Sequence, residues 1–195
     1  MTDKIETAAN GRVSLGAKSL IYPEMVMVVS VYDENNKPAA MTAAWGGISD
    51  DNELFMCISS THYTTPNILR NREFVVSIGT KEYVTECDYL GIASAYKTPD
   101  KFDKTGFTTV KASTVNAPII KELPFALECR LKDYDPNTGH LFAEIVNVSV
   151  DEKIMENGKI SFDKFNPIVF DGDGHTYRTI GDVVGNAFSD GLKLK

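Results

Sequence analysis

The sequence predicts a mainly β protein with flanking helices, a closed barrel carrying its helices at the side or end. Short apolar and β-branched runs recur between clusters of turn formers, and only two stretches carry helical spacing. No repeat, linker or low-complexity block divides the 195 residues, so a single domain over 1–195 is expected.

Residues 1–19 read as a polar N-terminal segment, and 1–12 carry no apolar stretch of the signal-peptide kind. Residues 25–33 (MVMVVSVYD) and 39–45 flank the polar turn at 34–38, a hairpin pattern. A third strand is expected at 53–58. Thr65 and Pro66 then supply the cap and first residue of a short helix over 66–71. Residues 74–78 form a fourth strand. A helix follows at 81–94, with Tyr83, Val84, Cys87, Leu90 and Gly91 spaced for one buried face. Residues 97–106 read as a loop. Strands at 125–134 and 141–150 enclose the turn formers of 135–140, the clearest hairpin in the chain. Beyond the apolar segment 166–170, residues 171–195 read as a C-terminal arm.

The formal net charge of -7 argues against broad attraction to nucleic acid or anionic membrane, and no apolar run reaches the length of a membrane span. Cys57, Cys87 and Cys129 are odd in number and widely spaced, which indicates neither a disulfide framework nor a zinc site; the three histidines are too scattered for a metal. A reducing cytoplasm is the expected location. Rossmann and P-loop fingerprints, GxSxG, HExxH and CxxC are all missing.

Two segments carry chemistry. Residues 59–65 (SSTHYTT) place six hydroxyls and an imidazole between a predicted strand and a predicted helix. Such donors at a helix N-terminus suit a phosphate, and equally suit a helix cap in a polar loop. In the second segment, Ala43, Ala44, Gly46 and Gly47 surround the single tryptophan, Trp45. Small residues there let a planar ligand approach the backbone; a core tryptophan beside a turn is the alternative.

Met41-Thr42-Ala43-Ala44-Trp45 followed by 58–68 (ISSTHYTTPNI) resembles the flavin reductase-like, flavoredoxin-type FMN-binding split-barrel family. Ser94-Ala95-Tyr96-Lys97 with Asp100-Lys101-Phe102, Gly139-His140 with Phe142 and Glu144, residues 167–170, and Tyr177-Arg178 with 184–188 agree in the same order, so the resemblance extends over about 20–190. It implies a six-stranded Greek-key split barrel with FMN near a homodimer interface.

The resemblance also implies roles. Trp45 and the backbone of Thr42, Ala43, Ala44 and Gly46 would face the flavin ring. Ser59, Ser60, Thr61, His62 and Thr64 would hold the ribityl chain and phosphate, joined by Lys97; Phe170 would cover part of the ring. His140 is the residue nominated for catalysis. Ala39 stands where many members carry an asparagine before the MT-x-x-W segment, which removes one side-chain hydrogen bond to the flavin. The implied activity is that of an FMN-dependent oxidoreductase, moving electrons from NADH, NADPH or another donor to a small-molecule or protein acceptor. A flavoredoxin-like electron carrier without nicotinamide turnover is the alternative.

Overall fold

The structure, a computed structural model, describes residues 11–195. The expectation for the N-terminal segment therefore falls largely outside the described residues. Fourteen strands follow in chain order: β1 (Glu24–Met25), β2 (Met27–Tyr32), β3 (Pro38–Ala43), β4 (Gly46–Asp50), β5 (Glu53–Cys57), β6 (Glu73–Ile78), β7 (Thr109–Lys111), β8 (Pro118–Ile120), β9 (Phe125–Asp135), β10 (His140–Val150), β11 (Met155–Glu156), β12 (Lys159–Ile160), β13 (Ile168–Asp171) and β14 (Thr176–Thr179). Helix α1 (Thr64–Asn71) lies between β5 and β6, α2 (Val84–Ile92) follows β6, and α3 (Phe162–Phe165) precedes β13.

The main sheet has seven antiparallel strands in the order β3-β2-β6-β9-β10-β5-β4. Its edge strands β3 and β4 are separated by only Ala44 and Trp45, so Ala43 and Gly46 lie at most about 11 Å apart. The two edges of the sheet must therefore meet, which curls it into a barrel. They are not paired to each other, so the barrel is split rather than closed. The close approach explains Gly46: a Cβ there would stand 2.6 Å from the Phe55 oxygen and 2.9 Å from Met27 Cε of β2.

Strand β2 is apolar without alternation because both its faces are covered. Met27, Val29 and Val31 enter the barrel with Met56, Phe74, Val76 and Leu141, while Val28 packs with Cys87 and Leu90 of α2. The strands expected at 53–58 and 74–78 and both hairpins are present.

Several expectations need correction. The predicted six strands become seven in the main sheet because β4 adds an edge; its GGISD sequence is exposed throughout and gives no burial pattern to read. Helix α1 begins at Thr64, so Thr65 lies inside its first turn and Pro66 is its third residue. Proline is tolerated there because first-turn N–H groups have no intrahelical acceptor. Tyr63 holds the cap position without a side-chain bond, and Arg72 at φ 63 closes the other end through Ile68 O. The second helix opens as a 3-10 turn over Lys81–Tyr83, and Gly91, assigned to its buried face, is exposed. His140 opens β10 rather than lying in the turn. The β7–β8 hairpin at Thr109–Lys111 and Pro118–Ile120 was not foreseen. Residues 171–179 form the β13–β14 hairpin, so the arm starts after Thr179. The Asp171 carboxylate organises that turn. It accepts from the Gly174 N–H at 3.0 Å, the Tyr22 hydroxyl at 2.8 Å and Arg178 Nε at 3.4 Å, bonds that hold its pKa down to about 2.

Candidate functional site

The sequence-nominated residues fall into two groups joined by the segment that leaves β5. In the first, Thr42, Thr61, His62 and Thr64 line a small cleft of about 150 Å³ opposite Leu90, Gly91, Ile92, Ala93, Ser94 and Ala95. The two walls are tied together where the Thr42 hydroxyl donates to the Cys87 carbonyl at 2.5 Å. Gly91 leaves the cleft open beside Thr42, whose Cβ would lie 3.5 Å from any Cβ added there.

The hydroxyls of 59–65 divide their work. Thr65 Oγ1 donates to the Ser59 carbonyl at 2.8 Å, and the Ser59 and Thr61 hydroxyls bond each other at 2.8 Å, shaping the loop. Thr64 is 2% exposed and lines the cleft, and its hydroxyl makes no hydrogen bond to the described protein. No acidic residue occupies the first turn of α1. An anion near that turn would meet a free hydroxyl and a positive helix end without a competing carboxylate.

Lys101 completes this cleft, and the sequence shows it only as part of the Asp100-Lys101-Phe102 motif. It is 5% exposed and lines the cleft, and no carboxylate among the described residues pairs with it. Burial of the ammonium holds its pKa down to about 8. Partial desolvation also lowers the His62 imidazole, and the Lys101 charge adds to that effect. Lys97 is exposed, its backbone N–H bonded to the Ser94 carbonyl, and it lies outside this lining. In the sequence Lys101 stands only as the cation of the Asp100-Lys101-Phe102 triplet, a pattern too common to single out.

The second group surrounds Cys57. The Trp45 carbonyl accepts from the Cys57 N–H at 2.8 Å, and His140 pairs with Cys57 from the opposite side. Trp45 and His140 thus flank β5, two strand spacings or roughly 10 Å apart. Trp45 is 54% exposed, so it is not a core tryptophan, and the His140 ring meets Phe55 edge-on at 5.2 Å. Ala43 and Ala44 are half-buried beside it; the space beside Gly46 is already filled by Phe55 and Met27. Phe170, half-buried on β13, packs against Tyr177 at 5.9 Å and reaches this side through β1, which lies against β4. Ser59 and Ser60 are exposed and continue the chain from Cys57 toward Thr61 and the Lys101 cleft.

The sequence profile of the family described as "Flavin reductase like domain" matches residues 19–176. The chain belongs to the flavin reductase-like family. Among solved structures it is similar to the flavoredoxin of Desulfovibrio vulgaris (Miyazaki F), at 34% identity and a TM-score of 0.86 over 91% of this chain and 98% of that one. It is also similar to flavoredoxin from Methanosarcina acetivorans, at 25% identity and a TM-score of 0.84 over 94% and 99% of the two chains. An uncharacterized protein of Archaeoglobus fulgidus (strain ATCC 49558 / DSM 4304 / JCM 9628 / NBRC 100126 / VC-16) is 34% identical over 58% of this chain, a match spanning 66% of its own length. The fold is thus the split barrel of flavin reductase-like proteins. Among the described residues, no helix is long and apolar enough to cross a membrane and no cluster of side chains could hold a metal ion.

Proposed function

We propose that this family member binds FMN and moves electrons through it as an oxidoreductase. The observation that carries the reading is the buried Lys101 ammonium, without a carboxylate partner, beside the free Thr64 hydroxyl. A buried charge of this kind is costly unless an anion compensates it. A terminal phosphate supplies the missing charge and accepts from both groups. From that end, Thr61, Ser60 and Ser59 lead along the chain to Cys57, flanked by exposed Trp45 and His140. An elongated ligand with an anionic end and a planar end fits this order, with Thr42 beside the anionic cleft and Ala43, Ala44, Gly46 and Phe170 around the planar end.

When bound, the flavin supplies the redox chemistry. The protein holds the phosphate, orients the ring beside Trp45 and leaves His140 placed to donate to a ring edge or to orient the electron donor. A homodimer would cover the exposed Trp45 side; sedimentation as a monomer at micromolar concentration counts against it.

NADH or NADPH serves as donor in the oxidoreductase reading. The likeness to two flavoredoxins supports the second reading, an electron carrier reduced by another redox protein. Steady-state oxidation of NADH and NADPH by the FMN-loaded protein separates the two. Turnover with either nucleotide establishes the first; reduction by a ferredoxin-like donor with no nicotinamide turnover establishes the second. A protein that gains no flavin signal when titrated with FMN refutes both.

A further inference from the structure

Thr80, just before the 3-10 turn that leads into α2, is 4% exposed, yet its hydroxyl neither caps that turn nor makes a hydrogen bond to the described protein. It lines a cleft of about 300 Å³, at the lower end of the roughly 300–1,000 Å³ usual for small-molecule sites. Three lysines from three separate elements share that lining: Lys81 of the 3-10 turn, Lys153 of the turn Glu152–Ile154, and Lys164 of α3. The flavin cleft is lined at the other end of α2, by Leu90 to Ala95, so the nine residues of that helix place roughly 14 Å between the two.

The charges of this lining are unevenly committed. Lys81 is exposed and pairs with no carboxylate among the described residues. Lys153 pairs with Asp151 at 3.4 Å and Lys164 with Glu156 at 3.1 Å, acids that lie outside the lining, and Lys164 also donates to the Met155 carbonyl at 3.3 Å. Such exposed pairs hold weakly and exchange for a ligand's charge. Two carboxylates line the cleft as well. Glu122 is engaged, accepting from the Thr108 hydroxyl at 2.8 Å and its N–H at 3.0 Å, and Glu82 is exposed, where solvent screens it. Phe165, stacked on Phe125 at 5.6 Å, and buried Pro124 give the cleft an apolar wall.

We propose that this cleft is an anion site separate from the flavin site, taking a small organic phosphate monoester whose apolar body lies against Phe165 and Pro124. A monoester carries close to two negative charges at neutral pH and presents three acceptor oxygens. Three ammonium groups from three elements, with one unbonded hydroxyl, supply donors for that number of oxygens, and lysine binds phosphate as a point charge on a flexible stem. A carboxylate, flat and singly charged, would leave part of this donor set without a partner. The separation from the flavin cleft is far beyond the contact that hydride transfer needs, so this ligand is held rather than reduced. The site does not depend on the flavin reading.

Amide NMR titrations of the full chain at fixed ionic strength test it, because shifts at Thr80, Lys81, Lys153 and Asn166 report this cleft and shifts at Thr64 and Ala93 report the other. The probes are phenyl phosphate, inorganic phosphate and benzoate. Read at the first set of amides, phenyl phosphate should bind with a Kd of about 1 mM or tighter, inorganic phosphate at least about threefold more weakly and benzoate at least about tenfold more weakly. Lys153→Gln and Lys164→Gln, both at exposed positions, and the isosteric Thr80→Val should each weaken phenyl phosphate there by about threefold to tenfold, with any binding read at Thr64 unchanged. If up to about 10 mM phenyl phosphate moves only the amides of the flavin cleft, or if both lysine variants leave the affinity at Thr80 and Lys81 unaltered, the site is refuted. Benzoate binding as tightly as phenyl phosphate would refute the phosphate assignment.

Discussion

The Thr42 hydroxyl donates to the Cys87 carbonyl at 2.5 Å and so fixes the distance between strand β3 and helix α2. Cleft residues stand on both sides of that bond, Thr42 on the strand and Leu90 to Ala95 beyond it on the helix end. Thr42→Val removes the donor and leaves the helical carbonyl with its intrahelical role. It should cost about 1 kcal/mol in urea unfolding and also weaken FMN, because the walls are no longer tied. A variant of unchanged flavin affinity would show that the bond supports the fold alone.

Thr64 offers a cleaner test of the anion end. Its hydroxyl bonds nothing in the described protein, so Thr64→Val should leave stability nearly unchanged. FMN binding should weaken by about tenfold or more, since a hydrogen bond to a charged phosphate contributes about 1.5–3 kcal/mol. Riboflavin, which lacks the phosphate, should be unaffected. Equal losses for the two ligands would place the phosphate elsewhere.

The choice between two lysines can be made directly. The family resemblance assigns Lys97 to the phosphate, but Lys97 is exposed, whereas Lys101 is buried at the cleft. Lys101→Met should weaken FMN by about 10- to 100-fold, and Lys97→Ala by less. Isothermal titration of both variants with FMN and riboflavin gives the comparison. A larger loss at Lys97 would reverse the assignment.

The parts of the fold that were legible in the sequence are those where one covered face imposes a pattern or a turn requires particular residues. The β2–β3 and β9–β10 hairpins are of this kind: their strands are apolar runs, and their turns carry Asn36 at φ 59 and Gly139 at φ 74. Gly139 is also required because a Cβ would stand 2.8 Å from the Ile58 oxygen. Strand β4 was missed because it is an exposed edge, paired by backbone on one side only, so its side chains need no pattern. Helix α1 begins two residues before the start its sequence suggests, because Thr65 and Pro66 match a common opening while Tyr63 at the actual boundary makes no cap bond. Lys101 is legible in the sequence only as a motif residue, since its meaning lies in the counter-charge missing around it, which packing alone reveals.

Glu128 should govern acid stability. This fully buried carboxylate on β9 accepts from Ser113 Oγ at 3.0 Å, Thr114 N at 2.6 Å, Thr114 Oγ1 at 2.7 Å and Asn147 Nδ2 at 2.8 Å. Desolvation pushes its pKa up, but these bonds together outweigh it and hold the pKa below the ordinary value. Its stabilisation is therefore present above the unfolded-state pKa and lost as pH falls through the folded one. Glu128→Ala should destabilise by about 3 kcal/mol at neutral pH and flatten the acid limb of the stability curve. Unfolding midpoints across that limb for both proteins give the comparison; parallel curves would remove Glu128 from the account.

Lys101 should make stability and flavin affinity respond to alkaline pH in opposite directions. Burial holds its pKa in the free protein down to about 8, below the ordinary lysine value of 10.5. Between these values the unfolded chain binds the additional proton, so stability of the flavin-free protein should rise with pH across that window. A bound phosphate favours the ammonium and raises its pKa again. FMN affinity should therefore be level below about 8 and fall above it, by at most about tenfold per pH unit, until the pKa of the complex is reached. Riboflavin affinity should stay level, and Lys101→Met should abolish both slopes. If FMN affinity is independent of pH from 7 to 10 in the unaltered protein, the ammonium that meets the phosphate is not this buried one.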